Sequence, residues 1–131
     1  IETVADAIDA SVLVRTYWGT VSETVYEQLL DASVDGVGFD LVTSRADSLS
    51  LVSEHGPTES VLLCVVNGQN TRLEDSDDVR HTSTEFVDRA AEMPEQVYLR
   101  LNTELSYLPT NRCEAKLETL ARVADTVEVA T

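Results

Sequence analysis

Lysine is almost missing from this sequence. Lys116 is the only one, against eight arginines, and the nine cations face 24 Asp and Glu for a net charge of −15. A chain so poor in positive charge is a poor partner for nucleic acid or for an anionic membrane. There are only two cysteines, Cys64 and Cys113, and they form no CxxC pair. That excludes a disulfide framework and a cysteine-spaced metal site, and it fits a reducing cytoplasm. No apolar run approaches the ~20 residues of a membrane span. No charged-then-apolar leader opens the chain. Neither a G-x-S-x-G turn nor a phosphate-loop signature occurs. The first residue is Ile rather than Met, so the expectation is a processed product or a segment of something longer.

Hydrophobic residues, by contrast, make up 43% of the 131, enough for a core. Their periodicity argues against disorder as the meaning of the charge. The remaining reading is a solvation strategy. Carboxylates hold water and counter-ions in a cytoplasm of molar salt, where screening reaches only ~3 Å at 1 M. A halophilic archaeon with an acidic proteome is the expected source.

The apolar pattern predicts five helices and four strands. Ile1 to Ala10 has Ile1, Val4, Ala5 and Ile8 on one helical face and no visible N-cap. Ser11 to Tyr17 is β-branched and nearly continuous in apolar character, like a strand buried on both sides, and Gly19 ends it. A helix capped by Thr20 or Ser22 follows, with Val21, Val25, Leu29 and Leu30 inward. Val34 to Val42 is a second strand, whose Gly36 and Gly38 suggest close approach of a neighbouring backbone. Ser44 to His55 is helical, with Leu49 and Val52 inward, and is stopped by Gly56-Pro57. Ser60 to Val66 is a third strand, with Cys64 as a small core residue. Acidic residues lead into a helix from about Asp77 to Met93, ended by Pro94, where carboxylates suit the positive end of the dipole. Gln96 to Leu101 is a fourth strand. Asn111 can cap a last helix over Arg112 to Ala124, with Leu117, Leu120 and Val123 as its stripe.

The order is one helix, then four strand–helix units with a repeat of roughly thirty residues, the length scale of βα pairs. Such alternation means parallel strands and right-handed crossovers. Four parallel strands make either an open doubly wound sheet or half of a TIM-type (β/α)8 barrel. Gly36-x-Gly38 lies inside a strand and is a poor dinucleotide fingerprint, so the half barrel is the preferred architecture. It would leave its first and fourth strands as bare edges.

Polar residues gather where the strands end, the place where α/β proteins bind ligands. Thr16, Tyr17 and Trp18 end the first strand and Asp40 the second. Asn67, Gln69 and Asn70 end the third, and Asn102, Thr103 and Glu104 the fourth. Each has a plainer reading. Asp40 can cap a nearby amide, the Asn-Gly segment can be turn chemistry, and Tyr17 and Trp18 can pack a core edge. His55 at a helix C-terminus and His81 on a helix face read as structural. No His, Cys and carboxylate fall at metal-ligand spacing. No catalytic set follows from these residues alone.

The strand-end motifs resemble those of the cobalamin-independent methionine synthases. Thr16-Tyr17-Trp18-Gly19, Val34-Asp35-Gly36, Asp40-Leu41-Val42, Val65-Val66-Asn67-Gly68-Gln69-Asn70, Asn102-Thr103-Glu104-Leu105 and Tyr107-Leu108-Pro109 occur in order. The resemblance covers Ser11 to Ala124. It looks like the C-terminal half of one barrel, closer to the family's N-terminal barrel or a short archaeal relative than to its catalytic barrel. The chain is then expected to be a single segment, 1–131, of that barrel.

The resemblance implies methyl transfer from a methylated folate-type donor to homocysteine. It also implies zinc in the family's catalytic barrel, held by a His and a Cys on one strand end, a Glu on the next and a Cys on the last. Here Val12 to Gly19 has no His or Cys, the Glu position corresponds to Asp40, and the last Cys to Thr103. This segment is therefore expected to bind no zinc and to act as scaffold or substrate surface. Its partners would be the missing N-terminal half barrel or a second, zinc-bearing domain. Two other readings stay open. One is a non-catalytic interaction domain. The other is a uroporphyrinogen decarboxylase-like barrel, which would need cations at the mouth, where only Arg15, Arg72 and Arg100 are placed for it.

Overall fold

A computed structural model describes residues 1–129. Its elements run α1 (Glu2–Ala7), β1 (Leu13–Val14), α2 (Glu23–Asp31), β2 (Gly36–Asp40), α3 (Arg45–His55), β3 (Ser60–Val66), α4 (Ser76–Arg89), β4 (Gln96–Leu101) and α5 (Thr110–Ala124). All the strand pairs are parallel, and the sheet order is β1-β2-β3-β4. Each strand is added beside its predecessor, so the winding never reverses. That rules out the doubly wound alternative and leaves the progressive winding of a barrel.

β2 and β3 are buried along their whole length. One sheet face carries Val37, Phe39, Val61 and Leu63, which pack under the helices. Tyr26, Phe39 and Phe86 interlock there, with ring centroids 5.5 Å and 4.8 Å apart. The opposite, concave face is built on the glycines. A Cβ on Gly36 would lie 2.6 Å from Leu13 Cδ2 and 2.7 Å from the Ser60 carbonyl, and one on Gly38 would lie 2.7 Å from Arg15 Cβ. The close approach expected there is real.

Strands β3 and β4 begin and end where the sequence pattern put them, and α3 starts one residue later than expected. The chain ends and the helix faces differ more. β1 is two residues long and half-exposed, not a strand buried on both faces over Ser11 to Tyr17. It is an edge: Asp35 Oδ2 accepts from the Val12 amide (2.6 Å) in place of a ladder partner, and the Thr16 hydroxyl donates to the Gly19 carbonyl and turns the chain away. α1 is shorter than Ile1 to Ala10 and buries no residue; Ile1, Val4 and Ile8 are exposed.

In α2 the inward residues are Tyr26 and Leu29, whereas Val25 faces out. Tyr26 is fully buried and its hydroxyl donates to the Gly56 carbonyl (2.6 Å), which is how a polar aromatic enters the core. α4 ends at Arg89, before Pro94, because Ala90 leaves helical geometry and its amide closes back on Phe86 and Val87. α5 starts after Pro109 rather than at an Asn111 cap. Its buried stripe is Lys116, Thr119, Leu120 and Val123, with Leu117 exposed. No described helix is long and apolar enough to cross a membrane.

Candidate functional site

The carboxyl ends of the four strands come together at one rim, and the polar residues singled out above lie on it. Most of their hydrogen-bonding capacity is spent on holding the loops. Asp40 is nearly buried. Its Oδ1 accepts from the amides of Val42 (2.9 Å) and Thr43 (3.1 Å). Its Oδ2 accepts from the Gly19 amide (2.8 Å) and from the Thr43 hydroxyl. One carboxylate thereby joins the loop after β1 to the loop after β2, with charge-assisted bonds at both oxygens. Gly19 supplies its amide from a positive φ of 77°, a conformation suited to glycine. Thr20 continues the junction: its hydroxyl accepts from the Asp40 amide (3.0 Å) and lies 2.6 Å from Ser48 Oγ.

The loop after β3 is built as two Asx turns. Asn67 Oδ1 accepts from the Gln69 amide (2.7 Å), and Asn70 Oδ1 accepts from the Arg72 amide (3.2 Å). Beneath it lies Lys116 of α5, fully buried. Its Nζ donates to the carbonyls of Arg72 (2.6 Å) and Asn67 (2.9 Å) and to both oxygens of Glu74 (3.1 Å each). Glu74 Oε1 in turn accepts from the Asn67 amide (3.0 Å). The single lysine of the chain is thus the anchor of the β3–α4 loop. Only its uniqueness marked it in the sequence, since a lone charge at an α5 position otherwise reads as solvated.

A register slip between Cys64 and Val66, just before the last β3–β4 pair, Val66 with Leu101, re-aims the residues that follow. Asn102 Oδ1 then accepts from the Gly68 amide (3.0 Å). Asn102 and Thr103 are almost completely buried, yet Asn102 Nδ2 and Thr103 Oγ1 have no hydrogen-bond partner among the described residues. Gly68 is pressed against them: a Cβ there would collide with Thr103 Oγ1.

The outward part of the rim is softer. The Tyr17 hydroxyl donates to Glu104 Oε1 at 3.4 Å. Its phenol is shifted above the ordinary tyrosine range, first by partial desolvation and then by the Glu104 charge, while a hydrogen bond with Gln69 works the other way. The rim therefore links residues of the first, third and fourth strand ends. Trp18, next to Tyr17 in the chain, and Tyr107, in the loop after β4, are both exposed.

The structure also gathers groups that spacing did not suggest. Glu23, Glu54 and His55 place one ligand atom each within 4.8 Å of one another, with His55 Nε2 at 2.9 Å from Glu23 Oε1. They belong to α2 and α3 rather than to the rim. His55 is engaged there in a hydrogen bond with the Glu23 carboxylate, at the C-terminal end of α3. Cys64 lies in the sheet with its thiol pushed up to about 11, chiefly by burial. Cys113 donates to the Leu105 and Leu108 carbonyls. Neither cysteine joins the rim.

The family model described as "Cobalamin-independent synthase, N-terminal domain" matches residues 2–91. A 5-methyltetrahydropteroyltriglutamate--homocysteine methyltransferase of Bifidobacterium animalis subsp. lactis (strain AD011) is 39% identical over 61 residues, 45% of this chain and 8% of that protein. The protein of the same name from Bacillus mycoides (strain KBAB4) is 32% identical over 73 residues, 54% of this chain and 9% of its own length. Among solved structures, a B12-independent methionine synthase from Shewanella sp. W3-18-1 in complex with selenomethionine superposes with a TM-score of 0.76 at 14% identity. It covers 96% of this chain, which spans 41% of that one. The sheet of four is accordingly part of a TIM-type barrel, and the chain spans less than a tenth of the two curated relatives.

Proposed function

This chain belongs to the cobalamin-independent synthase N-terminal domain family, and from that premise we propose that it serves methionine synthesis as the C-terminal half of one barrel, 1–131. The whole protein would move a methyl group from a folate-type donor to the sulfur of homocysteine in the cytoplasm of a salt-adapted organism. The observation that carries the reading is the rim: four strands wound in one direction bring family-like motifs to one edge, in order.

Within that protein the segment is scaffold and substrate surface. Zinc chemistry there requires thiolate and imidazole donors, which activate a substrate thiol by lowering its pKa. The rim offers Asp40, with both oxygens already occupied, and Thr103, an alcohol facing Gly68. That donor set does not fit zinc. The exposed group of Tyr17, Trp18, Gln69 and Glu104 is the part free to meet a substrate presented by a zinc-bearing domain. The two open sheet margins, β1 and β4, are where the missing N-terminal half barrel would pair.

Two measurements test this. Deletion of the gene should make growth dependent on added methionine; unaltered growth without it would contradict the assignment. Zinc titrated into the chain should find no tight stoichiometric site; one zinc bound tightly at the strand ends would overturn the scaffold role.

A further inference from the structure

The concave face of the sheet carries two guanidinium groups in a chain dominated by carboxylates. Arg15 follows Leu13 and Val14, which pair with Gly36 and Val37, and its Cβ stands over Gly38. Arg100 pairs in register with Cys64, whose other neighbour is Asp40. Side chains alternate along a strand, so Arg15, Leu62, Cys64, Tyr98 and Arg100 share this face. Both arginines are half-buried. Arg15 stands over Gly38 and Arg100 beside Cys64, so both guanidiniums rise from the one face, and both charges bear on the Cys64 thiol. Burial and the like charge of Arg15 disfavour the charged form of Arg100.

Neither arginine forms an ion pair among the described residues. Arg45, Arg80, Arg89 and Lys116 do, while Arg72, Arg112 and Arg122, also without an ion pair there, lie outside this face. Arg15 and Arg100 donate only to the backbone carbonyls of Thr16 (3.4 Å) and Leu101 (3.0 Å). Asp40, the nearest carboxylate in register, is saturated by the rim amides and the Thr43 hydroxyl. Two half-buried like charges without a counter-charge are unfavourable unless something supplies one. The same face leaves Leu13 and Tyr98 exposed at its two margins, so it is open as well as cationic.

We propose that Arg15 and Arg100 form the receptor for a side-chain carboxylate carried by the strands that complete the ring, so that closure is keyed by charge as well as by edge pairing. This rests on the reading of the chain as an incomplete barrel. The occupant is an Asp or Glu on a partner strand, directed into the concave face between the two guanidiniums. The planar fork of arginine suits a bidentate carboxylate, and two forks hold it in a fixed register. A wrong register would bury an apolar residue against two charges, so the pair also selects against misassembly.

Glutarate serves as a free carboxylate probe in thermal unfolding of the chain. It should raise the midpoint by a few degrees more than KCl at equal ionic strength. The response should be in the millimolar range, as fits an unlinked carboxylate. The double variant Arg15→Gln/Arg100→Gln should lose that increment and, without glutarate, unfold at a higher temperature than the parent. If the double variant does not fold by circular dichroism, Arg100→Lys decides: it keeps the charge and should retain a weakened response. A midpoint that cannot tell glutarate from chloride overturns the proposal, as does an increment that survives loss of both arginines. Saturation at micromolar glutarate also overturns it, because the face would then be a small-molecule site. None of these outcomes touches the methionine requirement, which tests the underlying reading separately.

Discussion

Lys116 on α5 and Glu74 at the foot of α4 form a charged pair at 3.1 Å, with the lysine side chain fully enclosed and the glutamate about one-fifth exposed. Between them they satisfy the backbone of the loop from Asn67 to Arg72. This asymmetry in exposure gives an ordered prediction. Glu74→Gln strands a buried ammonium, whereas Lys116→Met leaves a carboxylate that can rehydrate. Breaking a buried pair costs about 3–5 kcal/mol, with Glu74→Gln expected near the top and Lys116→Met near the bottom. Denaturant unfolding of the two variants measures the order. Equal, small effects would place the lysine outside the core.

Gly68 and Thr103 make a second, tighter relationship. Gly68→Ala drives a methyl into Thr103 Oγ1 and toward the Glu104 carbonyl at 3.0 Å, and overpacking of this kind costs about 1–3 kcal/mol. Thr103→Val should be neutral or slightly stabilising, because the hydroxyl it removes is buried without a partner. A double-mutant cycle of Gly68→Ala with Thr103→Ala should recover much of the loss. If Thr103→Val is strongly destabilising, the hydroxyl has a partner, and a bound water or ligand at the rim is the place to look.

Alkali should unfold this chain in two steps of linkage. Cys64 is pushed up to about 11 from 9.0, and Tyr26 to about 12 from 10.0, both chiefly by burial. A raised folded-state value favours the protonated form. Its contribution is therefore complete below the unfolded value and is lost as pH rises through the folded one. For Cys64 the window is about pH 9 to 11, and for Tyr26 about pH 10 to 12. A two-unit shift corresponds to roughly 3 kcal/mol per group. Stability measured against pH should be flat through neutrality and fall above pH 9, and Cys64→Ser should remove the earlier part of the fall. Rapid labelling of Cys64 by a thiol reagent in the folded state would contradict this.

Salt should stabilise the fold. The net charge is −15, and like charges meet locally. Glu59, just before β3, is shifted upward by the charge of Glu95, just before β4. Thermal midpoints should rise from dilute buffer to molar KCl as this repulsion is screened. Glu59→Gln should raise the low-salt midpoint and narrow the difference. A midpoint independent of KCl would remove the salt-adapted reading.

The sheet was legible because β3 is a nearly uninterrupted apolar run, β4 is a short β-favouring run that starts after Pro94 and ends at Asn102, and Gly36 and Gly38 sit where only a small residue fits. β1 was overread. Its residues are as β-branched as those of a central strand, but propensity does not say how much neighbour a strand will find. Helix faces failed where a polar group turned inward. Tyr26 and Lys116 belong to the core through bonds to Gly56 and to the β3–α4 loop, partners 30 and more residues away. A periodicity that counts only apolar residues chose Val25 and Leu117 instead, and both are exposed. The rim residues were identified as a set, but the division of labour among them depends on distances no spacing encodes. Asp40, Asn67, Asn70 and Asn102 hold loops, while Tyr17, Gln69 and Glu104 face outward.

Amide hydrogen exchange on β1 and β4 tests most directly whether this is an open segment of a ring. In the chain alone, the strand amides of β2 and β3 should exchange only through global unfolding. Those of Leu13 and Val14, and the outward amides of Gln96 to Leu101, should exchange through local opening, and should become protected in a longer chain that completes the barrel. Equal protection of all four strands in the chain alone would mean that its margins are already covered, and would contradict the account.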